Sequence, residues 1–193
     1  APVEALSAVM RQHGARMVMF VDASYLVRLR ELRTHHAVLS SAYDEVRAHL
    51  EWIVSEGHEL QLHVHPHWIK STFDDGWNID PSSYRLHNFP GQEQRDIVAA
   101  CKKELEEVAG APVNAFRAGG WCIQPFGEIR DALQASGIWL DSTLYRNGVS
   151  TEANRFYDFR NMPDVSSWRF DLDPMIPDPE GAFVEIPISS MQP

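Results

Sequence analysis

Cysteine is nearly absent from this chain. Cys101 and Cys122 are the only two, and neither sits in a CxxC or a Cys/His zinc spacing, so no thiolate metal site is legible. With Cys101 on a helix-like stretch and Cys122 in a loop, two reduced thiols in a cytoplasmic protein are expected. The chain begins at Ala1 rather than Met, so the missing leader weighs little on localisation. Long apolar runs are missing too. The longest is Met17 to Val21, far below the roughly 20 residues a transmembrane helix needs. Positive charge is scarce: 17 Lys and Arg against 27 Asp and Glu leave a net charge of −10. That balance disfavours nucleic acid or anionic membrane as a partner, because both need basic patches. It leaves sugars open. There is no internal repeat, low-complexity tract or clear linker, and 193 residues suit one sizeable core better than two.

Histidine is what the chain does have, and it is concentrated. Gly57-His58-Glu59-Leu60-Gln61-Leu62-His63-Val64-His65-Pro66-His67-Trp68 holds four of the nine histidines. Leu60, Leu62 and Val64 alternate with Gln61, His63 and His65, a period of two that predicts a strand. Pro66 ends it, having no N–H for a ladder. His63 and His65 then share one face near the strand's C-terminal end, with His67 just beyond. In α/β proteins that end of the sheet is where ligands bind, and closely placed neutral imidazoles suit a divalent cation, zinc first. The plainer readings are chance surface clustering and a polar entry to a loop.

Around this stretch the pattern alternates helix and strand with short joins, the mark of a parallel α/β layout. Val3, Leu6, Val9 and Met10 fall at helical spacing before Gly14. Arg16 to Val21 reads as a buried strand ending at Asp22, and Ser24 to Arg33 as a short helix. Ser41 with Asp44 resembles a capping box opening a helix that carries Val46, Leu50, Ile53 and Val54. Ile69 to Pro90 lacks regularity but scatters Phe73, Trp77, Tyr84 and Phe89, with Trp68 just before it. Those aromatics suit either sugar stacking or sealing of the loop onto the core. Gln92 to Val108 is a strong helix, Val113 to Phe116 a strand, Phe126 to Ser136 a helix, and Ile138 to Leu140 a strand ending at Asp141. Residues 142–166 read as irregular. Trp168 to Leu172 and Ala182 to Ile188 read as a strand pair, joined by a turn-rich segment.

This order of features resembles the polysaccharide deacetylases of the NodB-homology group, carbohydrate esterase family four, from about Glu4 to Ser189. Gly57-His58-Glu59 with His63 through His67 is similar to the family's GHE…HxxxH motif. Phe116-Arg117-Ala118-Gly119-Gly120-Trp121 is similar to its Arg motif in a divergent branch, and Gly137 to Ser142 to a later strand ending in Asp-Ser. The resemblance implies a distorted (β/α) barrel over 1–193 with the active site at the strand C-terminal ends. It implies a metal-dependent hydrolase removing N-acetyl or O-acetyl groups from a poly- or oligosaccharide, in the setting of surface polysaccharide modification. His63 and His67 would hold the metal, with Asp22 a candidate third ligand. Arg117 would orient a catalytic carboxylate, with Asp141 a partner in that network. Trp121 would wall the substrate groove, and Trp68, His65 and His87 are candidate substrate contacts.

Two departures stand beside the resemblance. The family's first motif, which supplies a general base and a third metal ligand, has no match here, and no histidine follows His87 to serve as catalytic acid. The expectation is a piece of a longer protein, lacking its first strand and its tail. Two rival readings stay open. His63-Val64-His65 also reads as the HxH of an amidohydrolase-like or PHP-type metal hydrolase, although such sites need downstream histidines. A NodB-like domain that binds metal or sugar without turnover is the other. Oligomeric state is not legible in the sequence.

Overall fold

The computed structural model describes residues 2–189. Its centre is a sheet of six strands. Strand β1 (Val18–Asp22) is followed by α2 (Ala23–Leu32) and α3 (Ala37–Ser55), and α1 (Pro2–Gln12) precedes it. Then come β2 (Glu59–Val64), the short α4 (His67–Lys70) and a small hairpin of β3 (Thr72–Phe73) and β4 (Trp77–Asn78). Helix α5 (Gly91–Ala109), β5 (Ala115–Ala118), α6 (Arg130–Ala135) and β6 (Leu140–Asp141) continue the alternation. A second hairpin, β7 (Val149–Glu152) with β8 (Arg155–Asp158), precedes β9 (Trp168–Phe170) and β10 (Phe183–Glu185). The sheet order is β1-β2-β5-β6-β10-β9. All neighbours run parallel except β9 against β10. The fold is therefore mixed α/β on a largely parallel sheet, with β1 and β9 as its edges among the described residues.

The two faces of the sheet differ sharply. Leu60, Leu62 and Val64 of β2 are almost wholly buried where α2, α3 and α5 pack on them. That is the helix-covered face, and it carries the core. It also holds one ion pair: Glu104, fully buried, accepts from Tyr43 Oη at 2.7 Å and pairs with Arg30. On the other face Val18, Phe20, Trp139, Leu140 and Ile186 line an apolar concavity of about 400 Å³. Val18, Trp139 and Ile186 are each more than two-fifths exposed, so no layer covers them among the described residues.

Several sequence expectations shift. Helix α3 starts at Ala37 with His36 as its N-cap, so Ser41 and Asp44 lie inside it; Asp44 accepts from Arg33 at 2.8 Å instead of closing a capping box. The buried Leu39 extends the helix's apolar face back past Ser41. The expected helix over 126–136 begins as a 3₁₀ turn, Phe126–Glu128, before α6. The stretch read as irregular, 142–166, contains β7 and β8. Their four-residue strands are too short and too polar for a period of two to stand out.

Gly57 ends α3 at φ +84°, a left-handed turn that sends the chain straight into β2. His58 is buried there. Its Nδ1 accepts from Met17 N–H at 3.2 Å, and its Nε2 lies 2.9 Å from Ser7 Oγ, so this imidazole clamps α1 and the start of β1.

A candidate active site at the strand ends

The C-terminal ends of β1, β2 and β5 stand side by side, with Asp22 opposite His63 and His63 opposite Arg117. Ser24, the second residue of α2, ties them together. Its hydroxyl accepts from His65 N–H (3.0 Å), and its one proton faces two acceptors, the Asp22 carboxylate and the His65 carbonyl (2.9 Å). Asp22 Oδ1 also accepts from His65 N–H at 3.3 Å. The short side chains of a serine and an aspartate thus fix the backbone just where Pro66 ends the strand.

The histidines follow in a row. The rings of His63 and His65 are 4.7 Å apart, and those of His65 and His67 5.4 Å. His63 Nδ1 lies 2.7 Å from the Arg117 carbonyl. Only a protonated nitrogen can bond there, which leaves Nε2 with its lone pair. Nδ1 of His65 and of His67 is buried with no hydrogen-bond partner. Burial lowers the pKa of all three, that of His65 to about 4; the Asp22 carboxylate pulls each of them back up, less strongly. Near neutral pH these are uncharged imidazoles with free nitrogens, the form that binds a metal.

His63, His65 and Arg117 line a cleft of about 570 Å³ together with Tyr84, Trp121 and Arg155. His67 stands behind them, stacked on Tyr84 at 5.6 Å between ring centres. Arg117 donates from Nε to the Ser142 carbonyl (2.6 Å) and from Nη2 to Ser142 Oγ (2.9 Å), and its guanidinium lies 4.1 Å over the Phe20 ring. Both hydrogen-bond acceptors are neutral; the carboxyls that act on the cation are the buried Asp141 and Glu185, through space and without a hydrogen bond.

The two glycines after Arg117 are required by contact. A Cβ on Gly119 would sit 2.3 Å from the Val64 carbonyl and 2.9 Å from His65 Nδ1; one on Gly120 would sit 2.4 Å from the Tyr84 hydroxyl. Gly120 and then Trp121 take left-handed φ angles of 59° and 61°. That is an uncommon and costly conformation for tryptophan, and it turns the indole along the cleft against Tyr145 (5.5 Å) and Tyr157 (6.0 Å).

Other candidates from the sequence lie elsewhere. Asp141 is fully buried and does not line the cleft, but its charge acts on Arg117, the partner expected of it. It accepts from Thr143 N–H (3.1 Å) and Thr143 Oγ1 (2.7 Å), and it neighbours the equally buried Glu185 in register. Burial raises the pKa of both carboxyls. Trp68 packs with Tyr25 and Trp77, and Trp77 with Phe73, so these aromatics seal the loop onto the core. His87 Nε2 bonds the Pro125 carbonyl at 3.1 Å; neither His87 nor Trp68 lines the cleft. Of the scattered loop aromatics, Tyr84 alone lines it. Arg155 had no sequence signal, because a lone arginine in a polar stretch carries none.

Comparisons with known proteins bear on the fold. No family model matches the sequence, and no curated protein matches it. Among solved structures, that of a "putative polysaccharide deacetylase" from Mycobacterium smegmatis matches with a TM-score of 0.51 at 18% identity. The match covers 97% of this chain and 45% of that one. The two share a fold. The present chain thus spans under half of the neighbour's length, and at this identity the likeness speaks for the fold alone.

Proposed function

We propose that the cleft is the active site of a metal-dependent carbohydrate deacetylase, a hydrolase that removes acetyl groups from a poly- or oligosaccharide. The observation that carries this reading is the row of three uncharged, under-bonded imidazoles at the strand ends, beside Asp22, in a fold shared with a protein named for that activity. The donor types fit a divalent ion, zinc first: orphaned buried nitrogens on His65 and His67, a free Nε2 on His63, and a carboxylate nearby. Among the described residues no three of these groups already enclose an ion, so binding requires side-chain rotation. His63 and His67 would hold the metal, with Asp22 third. When bound, the ion supplies Lewis-acid stabilisation of the acyl oxygen and an acidified water.

The chain's own groups do the rest. Trp121 offers an indole face to a pyranose ring. Arg117, fixed by Ser142, presents a cation that orients an anionic group or stabilises developing negative charge. The Arg117 carbonyl holds the proton on His63 Nδ1 and so sets its tautomer. The sheet is proposed to be part of a distorted (β/α) barrel, with the site at its C-terminal rim.

The test is metal content by elemental mass spectrometry alongside acetate release from N-acetylated chito-oligosaccharides. Near-stoichiometric metal, lost in His63→Ala and His67→Ala but kept in His65→Ala, supports the proposal. Loss with His63 and His65 but not His67 transfers support to the HxH hydrolase reading. That reading has one observation in its favour: His63 and His65 are the closer pair, and both line the cleft. Metal or sugar binding without acetate release, under metal-replete conditions, turns the assignment into that of a binding module.

A further inference from the structure

The cleft's charge runs against that of the chain. A protein with a net charge of −10 lines this one cavity with two arginines, Arg117 and Arg155, and with no carboxylate among the lining residues. A low-dielectric cleft focuses the potential of those two guanidinium groups.

Arg155 is built into place. It opens β8, and the β7–β8 hairpin is pinned to the loop after β5 by Gln124, whose side chain accepts from Asp158 N–H (2.7 Å) and donates to the Asp158 carbonyl (3.3 Å). Tyr157 of the same strand packs on Trp121. Arg155 Nε is buried with no hydrogen-bond partner. The residue's ion pair is with Glu152 across the hairpin turn, at 3.4 Å and on the solvent side. Exposed pairs of this kind are worth little, so a ligand can displace it. A neutral sugar needs no such cation, whereas a carboxylate gains charge-assisted, potentially bidentate bonds from one.

We infer that the cleft selects an acidic saccharide, one bearing a carboxylate beside its acetylated residue, and that Arg155 is the specificity-determining group that reads this charge while Trp121 stacks on the sugar. The inference rests on the deacetylase reading for its acetylated sugar, but it is testable by binding alone.

The experiment compares two tetrasaccharides by calorimetry. One alternates N-acetylglucosamine with glucuronate; the other is N-acetylchitotetraose. The acidic probe is expected to bind about tenfold more tightly, with the advantage shrinking as salt rises. Arg155→Gln brings the ratio of the two affinities towards one, and Arg155→Lys restores part of it. Circular dichroism confirms that both variants are folded. Equal affinities in the unchanged protein, or an unchanged ratio in Arg155→Gln, overturn the inference. Acetate release with no acidic preference sinks the inference and spares the deacetylase reading. An acidic preference without acetate release from any acetylated sugar does the reverse. Failure to bind either probe removes both.

Discussion

Two clusters of ionisable groups lie on either side of β5, one at the end of β2 and one on β6 and β10, and burial pushes both towards neutrality. The His63–His65–His67 row loses its positive charge and the Asp141–Glu185 pair its negative charge. Both clusters hold an unpartnered buried atom, Glu185 Oε2 in one and Nδ1 of His65 and His67 in the other; what separates them is access to a cavity. Asp141 spends its oxygens on Thr143, and Glu185 Oε1 accepts from Leu144 N–H at 3.1 Å. Those bonds lock the segment after β6, whose Ser142 in turn holds Arg117. The histidines keep unpaired nitrogens, and two of them face a cleft. A shifted titration by itself therefore does not mark a functional group. A shifted group with an unspent lone pair and access to a cavity does.

The contrast predicts opposite phenotypes. The largest effect belongs to His63→Ala, which is expected to reduce metal content and acetate release to background while changing stability little. Glu185→Ala should do the reverse: denaturant melts lose about 1–3 kcal/mol, the cost of stranding buried partners, while each folded molecule still binds metal. If His63→Ala unfolds the chain instead, the proposed division between site and scaffold fails.

Next is Gly119→Ala. The added methyl meets the Val64 carbonyl of β2, and overpacking of this kind costs about 1–3 kcal/mol; metal affinity should fall with it, because the strand end that carries His63 and leads to His67 is displaced. Unaltered melts and metal content would show that the contact relaxes freely.

The carboxyl pair also gives a pH signature. Burial lifts both groups above their ordinary values of 3.8 and 4.5, so the native state holds a proton that the unfolded chain releases. The stability contribution is complete below the ordinary carboxylate range and drains as pH rises through the lifted values. The buried histidines, whose pKa values burial lowers, act in the opposite sense over part of the same range, so the signature is a difference: the urea midpoint of the unchanged protein minus that of Glu185→Gln, which cannot ionise, should fall as pH rises above about 5. A difference that stays flat or rises over this window would contradict the assignment.

Smaller effects refine the picture within the cleft. Trp121→Ala should weaken oligosaccharide binding about tenfold, the scale of one aromatic contact. His87→Ala should leave binding unmoved and cost about 1 kcal/mol of stability for the lost bond to the Pro125 carbonyl.

Much of the arrangement was legible in the residues, for reasons that differ by element. The β2 strand announced itself by strict alternation up to Pro66, and α5 by its apolar stripe, because each buries one face against one neighbour. The convergence of Arg117 and Trp121 on the histidines was legible through motif resemblance only; no periodicity could place β5 beside β2. Asp141 was read as a partner of Arg117, and its charge does act on that residue, but its burial and its bonds to Thr143 were not legible. A strand-ending aspartate looks alike in sequence whether it faces a cleft or a buried glutamate 44 positions later. Arg155 and the hairpin that carries it were invisible, since their placement depends on Gln124 and Tyr157, contacts that span 34 residues in one case. The barrel expected from the resemblance is likewise finer than the six-stranded sheet.

The bare backbone of Gly119 makes the histidine strand and the Arg117–Trp121 loop a single mechanical part. With the Val64 carbonyl and the His65 ring where its side chain would lie, there is no slack between them. A shift of a few tenths of an ångström in either is transmitted to the other. Attempts to retune metal affinity on β2 will therefore also reshape the sugar groove, and a sequence that changes one side of this contact has to change the other with it.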